Sequence, residues 1–299
     1  MTTKSSDVWN AIILDTAYAG GGAYGGAPTA LDENVLVQGT DTLLAVDDQI
    51  TVTYPTALPE REAQYGLGAG LYFNAMNTIK LPPGTGMINS WLQTDDWFDL
   101  AISGAFGTLM TTFTWHTDNG EEELDHFGCW VEKLVITIEK GKPTLQEVTI
   151  RSRSWSAAGA GMTKVAYQTS AKGVAGDASG TYDAHTSANL VVNKTVITID
   201  NTIEEEKSYG IGDNSIQQPI LLKRKVTVDI SHLQEDTNTW AADARNETAQ
   251  LVDITVVCHS TLTATMTNLV VESTNTDENE HGIKLHTALF RSGVGFTIA

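Results

Sequence analysis

The sequence predicts a mainly β protein made of two tandem antiparallel β-sandwich or barrel domains, each with one short α-helix. Three observations predict this fold. Short runs rich in Thr, Val and Ile alternate apolar and polar residues, as strands with one solvated face do. Turn-forming residues separate these runs. The two halves of the 299-residue chain also repeat the same local patterns in the same order.

The strand pattern is found in eight runs of suitable length. The predicted strands are residues 49–54, 111–117, 131–139, 144–152, 194–200, 224–231, 251–260 and 282–290. The connector "EKGKP" at 139–143 predicts a hairpin turn in which Gly141 takes a positive φ. Antiparallel pairing of neighbouring runs follows from such short connectors.

Two segments predict helices. In "TDDWFDLAISGAFG" at 94–107, Thr94 is a suitable N-cap, and Trp97 begins an apolar face. Gly104 and Gly107 are expected to end this helix. The segment "DTNTWAADARNE" at 236–247 has the same character around Trp240.

The repeat rests on several matches whose spacing is nearly constant. The matching segments are Tyr65-Gly66-Leu67-Gly68 with Tyr209-Gly210-Ile211-Gly212, Trp97 with Trp240, His116 with His259, and 145–152 with 285–292. No single match is specific, because strands rich in Thr and Val match one another by chance. The common order nevertheless predicts a duplicated domain.

Composition shifts divide the chain into four parts. We expect an N-terminal arm at 1–37, a first β domain at 38–155, a linker rich in Ala, Gly, Ser and Thr at 156–189, and a second β domain at 190–299.

The charge and the cysteines limit the function. The net charge of −19 disfavours general nucleic-acid binding, since phosphate contacts need Lys and Arg. We find neither a long apolar run nor an apolar signal core, and so expect no membrane span and no signal-dependent secretion. Cys129 and Cys258 lie in strand-like runs and are expected to be free, buried thiols.

The motifs that would indicate an enzyme are weak. "GGGAYG" at 20–25 fits a dinucleotide-loop pattern, but Pro28 and the absence of a following apolar stripe argue for a flexible arm. The segment "WHTDNGEEELDH" at 115–126 is acidic but lacks the ligand spacing of a calcium or zinc site, so we expect it to be a solvated acidic loop. We therefore predict no catalytic residues, no cofactor and no metal.

Several segments resemble the tail tube proteins of long-tailed bacteriophages and related archaeal viruses, in their long, tandem form. The closest is "GCWVEKLVITIEKGKPTLQEVTI" at 128–150; the others are 14–30, 97–108, 191–212 and 219–231. The resemblance covers about residues 10–299. It departs from the family in the length of 156–189 and in Leu222, which stands before Lys223 where a glycine is usual.

This resemblance implies a non-enzymatic virion protein, the major subunit of a siphovirus-like tail, assembled in the host cytoplasm. Its copies would form trimeric, pseudo-hexameric rings stacked into a tube that contacts tape-measure, terminator and baseplate or tip proteins. Viral DNA would pass through the lumen during genome ejection without specific binding. The loop residues expected at subunit interfaces are Tyr65, Gly66, Gly68, Tyr209, Gly210 and Gly212.

The alternative is a two-domain β-sandwich surface protein that binds glycans. It would use tryptophans as stacking platforms, and the candidates are Trp91, Trp97, Trp115, Trp130, Trp155 and Trp240. A tube subunit forms oligomers, whereas a glycan-binding protein would be a monomer with exposed aromatic rings.

Overall fold

The fold is seen in a computed structural model that describes most of the two β-rich regions. The described residues are 9–14, 35–36, 52–53, 60–65, 73–80, 82–92, 95–118, 123–157, 178–183, 185–186, 190–204, 219–233, 240–245, 250–260, 262–278 and 284–299. We call residues 9–157 the first half and residues 178–299 the second half.

The described part of the chain contains seventeen strands and two short helices. The first half holds β1 Trp9–Leu14, β2 Val35–Leu36, β3 Val52–Thr53, β4 Glu60–Tyr65, β5 Phe73–Lys80, β6 Gly84–Trp91, α1 Asp96–Ile102, β7 Phe113–Asp118, β8 Glu123–Glu139, β9 Leu145–Ser152 and β10 Ser154–Ala157. The second half holds β11 Ser179–Tyr182, β12 His185–Thr186, β13 Val192–Ile203, β14 Leu221–His232, α2 Trp240–Asp243, β15 Leu251–Val257, β16 Thr263–Glu278 and β17 Lys284–Ile298.

One antiparallel sheet runs through both halves. Its order is β3-β6-β9-β8-β13-β14-β17-β16-β15-β11-β12, and the first part of β8 pairs with β7 and β10. Strands β1 and β2 extend the sheet beyond β7, whereas β4 and β5 form a separate two-stranded sheet. The fold is therefore mainly β and antiparallel, as the alternating runs predict.

The two halves share one pairing order. It is β2-β1-β7-β8-β9-β6-β3 in the first half and β12-β11-β15-β16-β17-β14-β13 in the second. Their bulges also correspond: one lies between Phe113 and Trp115 in β7 and between Val252 and Ile254 in β15. Because a bulge redirects a strand at one residue, this agreement supports the predicted internal repeat.

The two halves nevertheless differ from the expected separate domains. β8 and β13 pair directly across the halves, and one hydrophobic cluster contains buried residues of both. Part of the predicted arm and part of the predicted linker also belong to the sheet, because β1 pairs with β7 and β11 pairs with β15. Backbone groups in those segments are thus used in strand pairing, which composition does not reveal.

Alternation places the core on one face of the sheet. In β8, Leu134 and Ile136 are fully buried, whereas Lys133, Val135 and Thr137 are only half-buried. The predicted hairpin follows this strand, with Gly141 at φ 76°. This face of the sheet is the one that the helices cover.

Each helix packs a tryptophan into the core. Trp97 of α1 meets Phe113 edge-to-face at 5.9 Å between ring centroids, and Trp240 of α2 meets Phe290 in the same way at 5.0 Å. Both helices are shorter than predicted. The N-cap of α1 is Asp95, which makes no side-chain cap hydrogen bond, and extended backbone at Ser103 ends the helix. Thr94 lies outside the described residues.

The cysteines are as expected. Cys129 and Cys258 are both buried, and neither is joined in a disulfide. Burial raises the pKa of the Cys258 thiol to about 12. Among the helices that the structure describes, neither has the length and apolar character needed to cross a membrane.

Candidate assembly interface

The junction between β8 and β13 is the first element of the candidate interface. Seven consecutive residue pairs join the strands, from Lys194 opposite Glu139 to Asp200 opposite Lys133. Opposite charges thus face each other at both ends of the junction, which favours this register over a shifted one.

The middle of the junction is apolar. Ile197 lies opposite Ile136 and Ile199 lies opposite Leu134, and all four side chains are completely buried. At about 1.5–3 kcal/mol for each buried aliphatic side chain, these four together contribute on the order of 6–12 kcal/mol, an upper estimate. The two halves are therefore held together within one chain.

A polar network fastens the end of α1 to the second half. The buried amide of Asn201 on β13 donates to the carbonyl oxygens of Ala101 (2.8 Å) and Val131 (3.1 Å). It thereby holds the last turn of α1 and strand β8 in a fixed position against β13.

Arg224 on β14 completes this network. Its Nε donates to Asn201 Oδ1 at 2.8 Å, its Nη1 donates to the Ile102 oxygen at 2.7 Å, and its Nη2 donates to the Ser103 oxygen. These carbonyls belong to the last residue of α1 and to its C-cap, where backbone oxygens lack intrahelical partners and a positive charge is favourable. Burial lowers the pKa of Arg224 to about 10, so the guanidinium is charged at pH 7.

The second half contains a strand edge that corresponds to this junction. Val135 of β8 pairs with Glu147 of β9, and Asn275 of β16 pairs with Thr287 of β17. The two pairs therefore occupy matching positions, 140 residues apart like 145–152 and 285–292. On this alignment residues 133–138 of β8, which pair with β13, match residues 273–278.

This edge has no partner among the described strands. β15 pairs with β16 only as far as Val270, and β17 occupies the other edge. The side chains here are polar and mainly exposed: Ser273, Asn275, Thr276 and Asp277 are exposed. We call residues 273–278 the open edge.

A polar cavity lies behind the open edge. Thr274 and Thr276 line it together with His232, His286 and Trp240. In the first half, strand register places Ser90 and Gln146 where His232 and His286 stand, and Gln146 Nε2 donates to Ser90 Oγ at 3.0 Å. Both pairs line a cavity, of about 190 Å³ in the first half and about 240 Å³ in the second. The same place in the repeat thus holds a hydrogen-bonded Ser–Gln pair in one half and a histidine pair in the other.

The residues predicted at interfaces lie almost wholly outside the described chain. Tyr65 is the last residue of β4 and pairs with Phe73. Gly66, Gly68, Tyr209, Gly210 and Gly212 fall outside the described residues, as does "GGGAYG" at 20–25. Their role in subunit contacts stays a prediction.

The predicted match of His116 with His259 is wrong. His116 lies within β7 opposite Asp125, whereas His259 follows β15 in a turn closed by hydrogen bonds with Leu262. The register instead puts Thr255 at the position of His116. The match assumed a constant spacing between equivalent residues of the two halves. This assumption fails here because the loops that join helix and strand differ in length between the halves.

Most of the tryptophans considered for sugar stacking are core residues. Trp91, Trp97, Trp115, Trp130 and Trp240 are at most 5% exposed, whereas Trp155 is 48% exposed. Five buried rings cannot form a stacking platform on this surface.

The acidic segment at 115–126 contains a second departure from expectation. His126 is buried against Trp115, with 5.7 Å between ring centroids, although the segment is predicted to be a solvated loop. Across the described part of the chain, His, Cys, Asp and Glu nowhere form a cluster of three or more that could hold a metal ion.

Sequence reasoning did not find the residues that build the junction. Arg224 stands in a basic step, "KRK" at 223–225, in which its neighbours are exposed and only its own side chain reaches the core. Asn201 is a polar residue at a buried position of a strand-like run. A polar residue at such a position indicates a specific hydrogen-bond partner, and this is the signal in the sequence that could have identified it.

Neither a scan against protein-family models nor a search of curated proteins found a match to this chain.

Proposed function

We propose that this chain is a self-assembling structural subunit, the major tail tube protein of a tailed virus, and that it forms rings by strand pairing. Each open edge would receive the first half of the next copy, at β3. That strand occupies in the first half the place that β13 occupies in the second. Three chains, each filling two equivalent places, would close one pseudo-hexameric ring.

The observation that carries the proposal is the β8–β13 junction. In this junction, a strand of one repeat unit pairs with a strand of the next unit within a single chain. An edge with the same neighbours then recurs at residues 273–278. Exposed edges readily pair with other chains, and a closed ring would cover this one.

The difference in polarity between the two junctions also fits assembly. Leu134 and Ile136, buried within the chain, are matched by Thr274 and Thr276 at the open edge. A contact between separately folded chains needs such an edge to stay soluble before assembly. The contact between chains should accordingly be weaker than the junction within the chain.

The charge fits a conduit for DNA. With 37 acidic and 18 basic residues, the chain repels a polyanion rather than binding it. Passage without adhesion is what a tail lumen requires. The tape-measure, terminator and baseplate or tip partners, and the location in the virion tail, belong to the same proposal.

The test is electron microscopy of the purified full chain, with light scattering on the same sample over a range of concentration and salt. Rings or tubes with a central hole, and a smallest closed species of three chains, are expected. Rings of six chains would keep the tube and remove the claim of two places per chain. A monomer under all conditions, or one that binds glycans, would count against the proposal.

Two neighbouring proline variants, Asn275→Pro and Thr276→Pro, locate the contact. Successive N–H groups alternate between the two edges of a strand, so one proline removes a donor from the open edge and the other removes one that faces β17. The variant that loses the donor at the open edge should abolish ring closure with little loss of monomer stability. The variant that loses the donor facing β17 should mainly lower stability. Rings that form normally in both variants would rule out this edge.

A further inference from the structure

The cavity beside His232 and His286 is lined by basic and neutral side chains, although the chain as a whole is strongly acidic. It has a volume of about 240 Å³ and is lined by residues of β14, α2, β16 and β17. The lining residues are His232, Trp240, Ala241, Arg245, Thr274, Asn275, Thr276, His286, Thr287 and Ala288. In a chain with 37 acidic residues, the described lining includes one arginine, two histidines and no acid.

The two imidazoles are positioned as a pair. His232 and His286 lie directly opposite each other on neighbouring strands, with 5.4 Å between ring centroids and 25° between ring planes. His232 also meets the edge of Trp240 at 5.7 Å. Both histidines are nearly buried, so their protonation together would place two like charges in contact away from water.

The hydroxyl of Thr276 allows either state of the pair. Its Oγ1 lies 3.0 Å from His286 Nδ1, and a hydroxyl can either donate to a neutral ring or accept from a protonated one. Arg245 and Thr276 are exposed, so they connect the cavity to solvent. A solute can therefore reach the histidines past the guanidinium of Arg245.

We propose that this cavity binds a small oxyanion, a sulfate, phosphate or carboxylate group, between the histidine pair and Arg245. An anion offsets the repulsion of two protonated imidazoles, and a guanidinium binds oxyanions in a bidentate manner. Thr274 and Thr276 supply neutral hydroxyl donors. At about 30 Å³ for each water molecule, the cavity holds a small anion and is too small for a nucleotide.

The acids on the same elements do not line the cavity. Asp243 lies on α2 beside Arg245, and Asp277 lies on β16, where its Oδ1 accepts a hydrogen bond from Asn275. The described charged side chains that line the cavity are thus all basic. Proton uptake by the histidines should therefore tighten anion binding, whereas it would weaken the binding of a metal ion, which needs neutral imidazole.

The experiment is calorimetric titration of the full chain with sulfate at constant ionic strength, at pH 6 and pH 8. Sulfate keeps its charge over this range, so a change in affinity reports on the protein. One site per chain is expected, with affinity roughly five-fold or more tighter at pH 6 than at pH 8, because an anion binds a protonated imidazole pair more strongly than a neutral one. Because the cavity shares Asn275 and Thr276 with the open edge, the titration is made on the monomeric chain, where its result does not depend on ring formation.

The variants separate the cavity from the general surface. The double variant His232→Ser with His286→Gln introduces the hydrogen-bonded pair that the first half already uses, and it should weaken sulfate binding at least roughly ten-fold. Arg245→Gln should weaken it by a smaller factor. Lys142→Gln removes one positive charge from an exposed hairpin and should leave binding unchanged.

Three results would overturn the proposal. One is the absence of sulfate binding at pH 6 to a folded wild-type chain. Another is equal binding by the wild type and by a double variant whose thermal unfolding shows that it is folded. The third is stoichiometric binding of Zn²⁺ at pH 8 without binding of sulfate, which would make the pair a metal site instead.

Discussion

Replacing Arg224 by methionine should uncouple α1 from the second half. Arg224→Met keeps an apolar chain of similar length but removes all the guanidinium donors. Asn201 Oδ1 and the oxygens of Ile102 and Ser103 would then lose their donor in a partly buried place. The variant therefore tests whether the network holds the two halves together.

The magnitude follows from those three bonds. Hydrogen bonds from a charged donor contribute about 1.5–3 kcal/mol each, so the lower end gives about 4–5 kcal/mol for the three. Removing a partly buried cation also relieves its desolvation, which offsets part of that loss. We expect a net destabilisation of about 2–3 kcal/mol.

Urea unfolding followed by tryptophan fluorescence measures this change. Trp97 and Trp240 lie in the two helices, so the signal reports on both halves. The control is Lys223→Met, which removes the neighbouring exposed cation and should change the free energy of unfolding by less than about 0.5 kcal/mol. Arg224→Lys keeps a charge without the planar fork and should fall between the two.

Two outcomes would refute the reasoning about Arg224. If Arg224→Met and Lys223→Met lost equal stability, the network would contribute nothing beyond surface charge. If Arg224→Lys kept the full stability of the wild type, charge near the helix end would be enough and the geometry of the guanidinium would be irrelevant.

Two further predictions concern Gly104 and Cys258. Gly104 and Gly141 share φ 76°, but a Cβ at Gly104 would lie 2.6 Å from the Leu109 oxygen while one at Gly141 meets nothing within 4 Å. Gly104→Ala should therefore cost about 1–3 kcal/mol more than Gly141→Ala in urea unfolding. Because burial raises the pKa of Cys258 from 9.0 to about 12, the unfolded chain releases this proton first as pH rises. Stability present below pH 9 should then fall by about 2 kcal/mol between pH 8.5 and 10.5, and Cys258→Ala should lack this loss.

Equal costs at Gly104 and Gly141 would show that the loop at Leu109 can move away. For Cys258, identical pH profiles of wild type and variant would show that its thiol gains access to water or a compensating partner in the folded protein.

The agreement of bulges and ion pairs across the halves explains why the repeat was visible in the sequence. Arg151 and Glu132 form a pair at 3.7 Å, and Arg291 and Glu272 form the matching pair at 3.4 Å. Both arginines belong to the Arg-Ser ending that the two final strands share. Such surface ion pairs contribute little to the free energy of unfolding. Their value here is that they occupy equivalent positions in the two halves.

The sequence by itself determined the local structure. Alternation placed Leu134 and Ile136 on the buried face, Gly141 marked the hairpin, and Trp97 and Trp240 identified the two short helices. These features depend on residues near one another in the chain, where periodicity and turn chemistry act directly.

Only the tertiary structure decided how the halves meet. That β8 takes β13 as its neighbour, that Arg224 reaches the end of α1, and that His232 stands opposite His286 all depend on contacts between distant segments. Periodicity assigns a residue to a face of a strand but does not name the strand beside it. The junction, the open edge and the cavity are therefore defined by the register between strands that are distant in the chain. The pattern of residues within one strand does not carry that information.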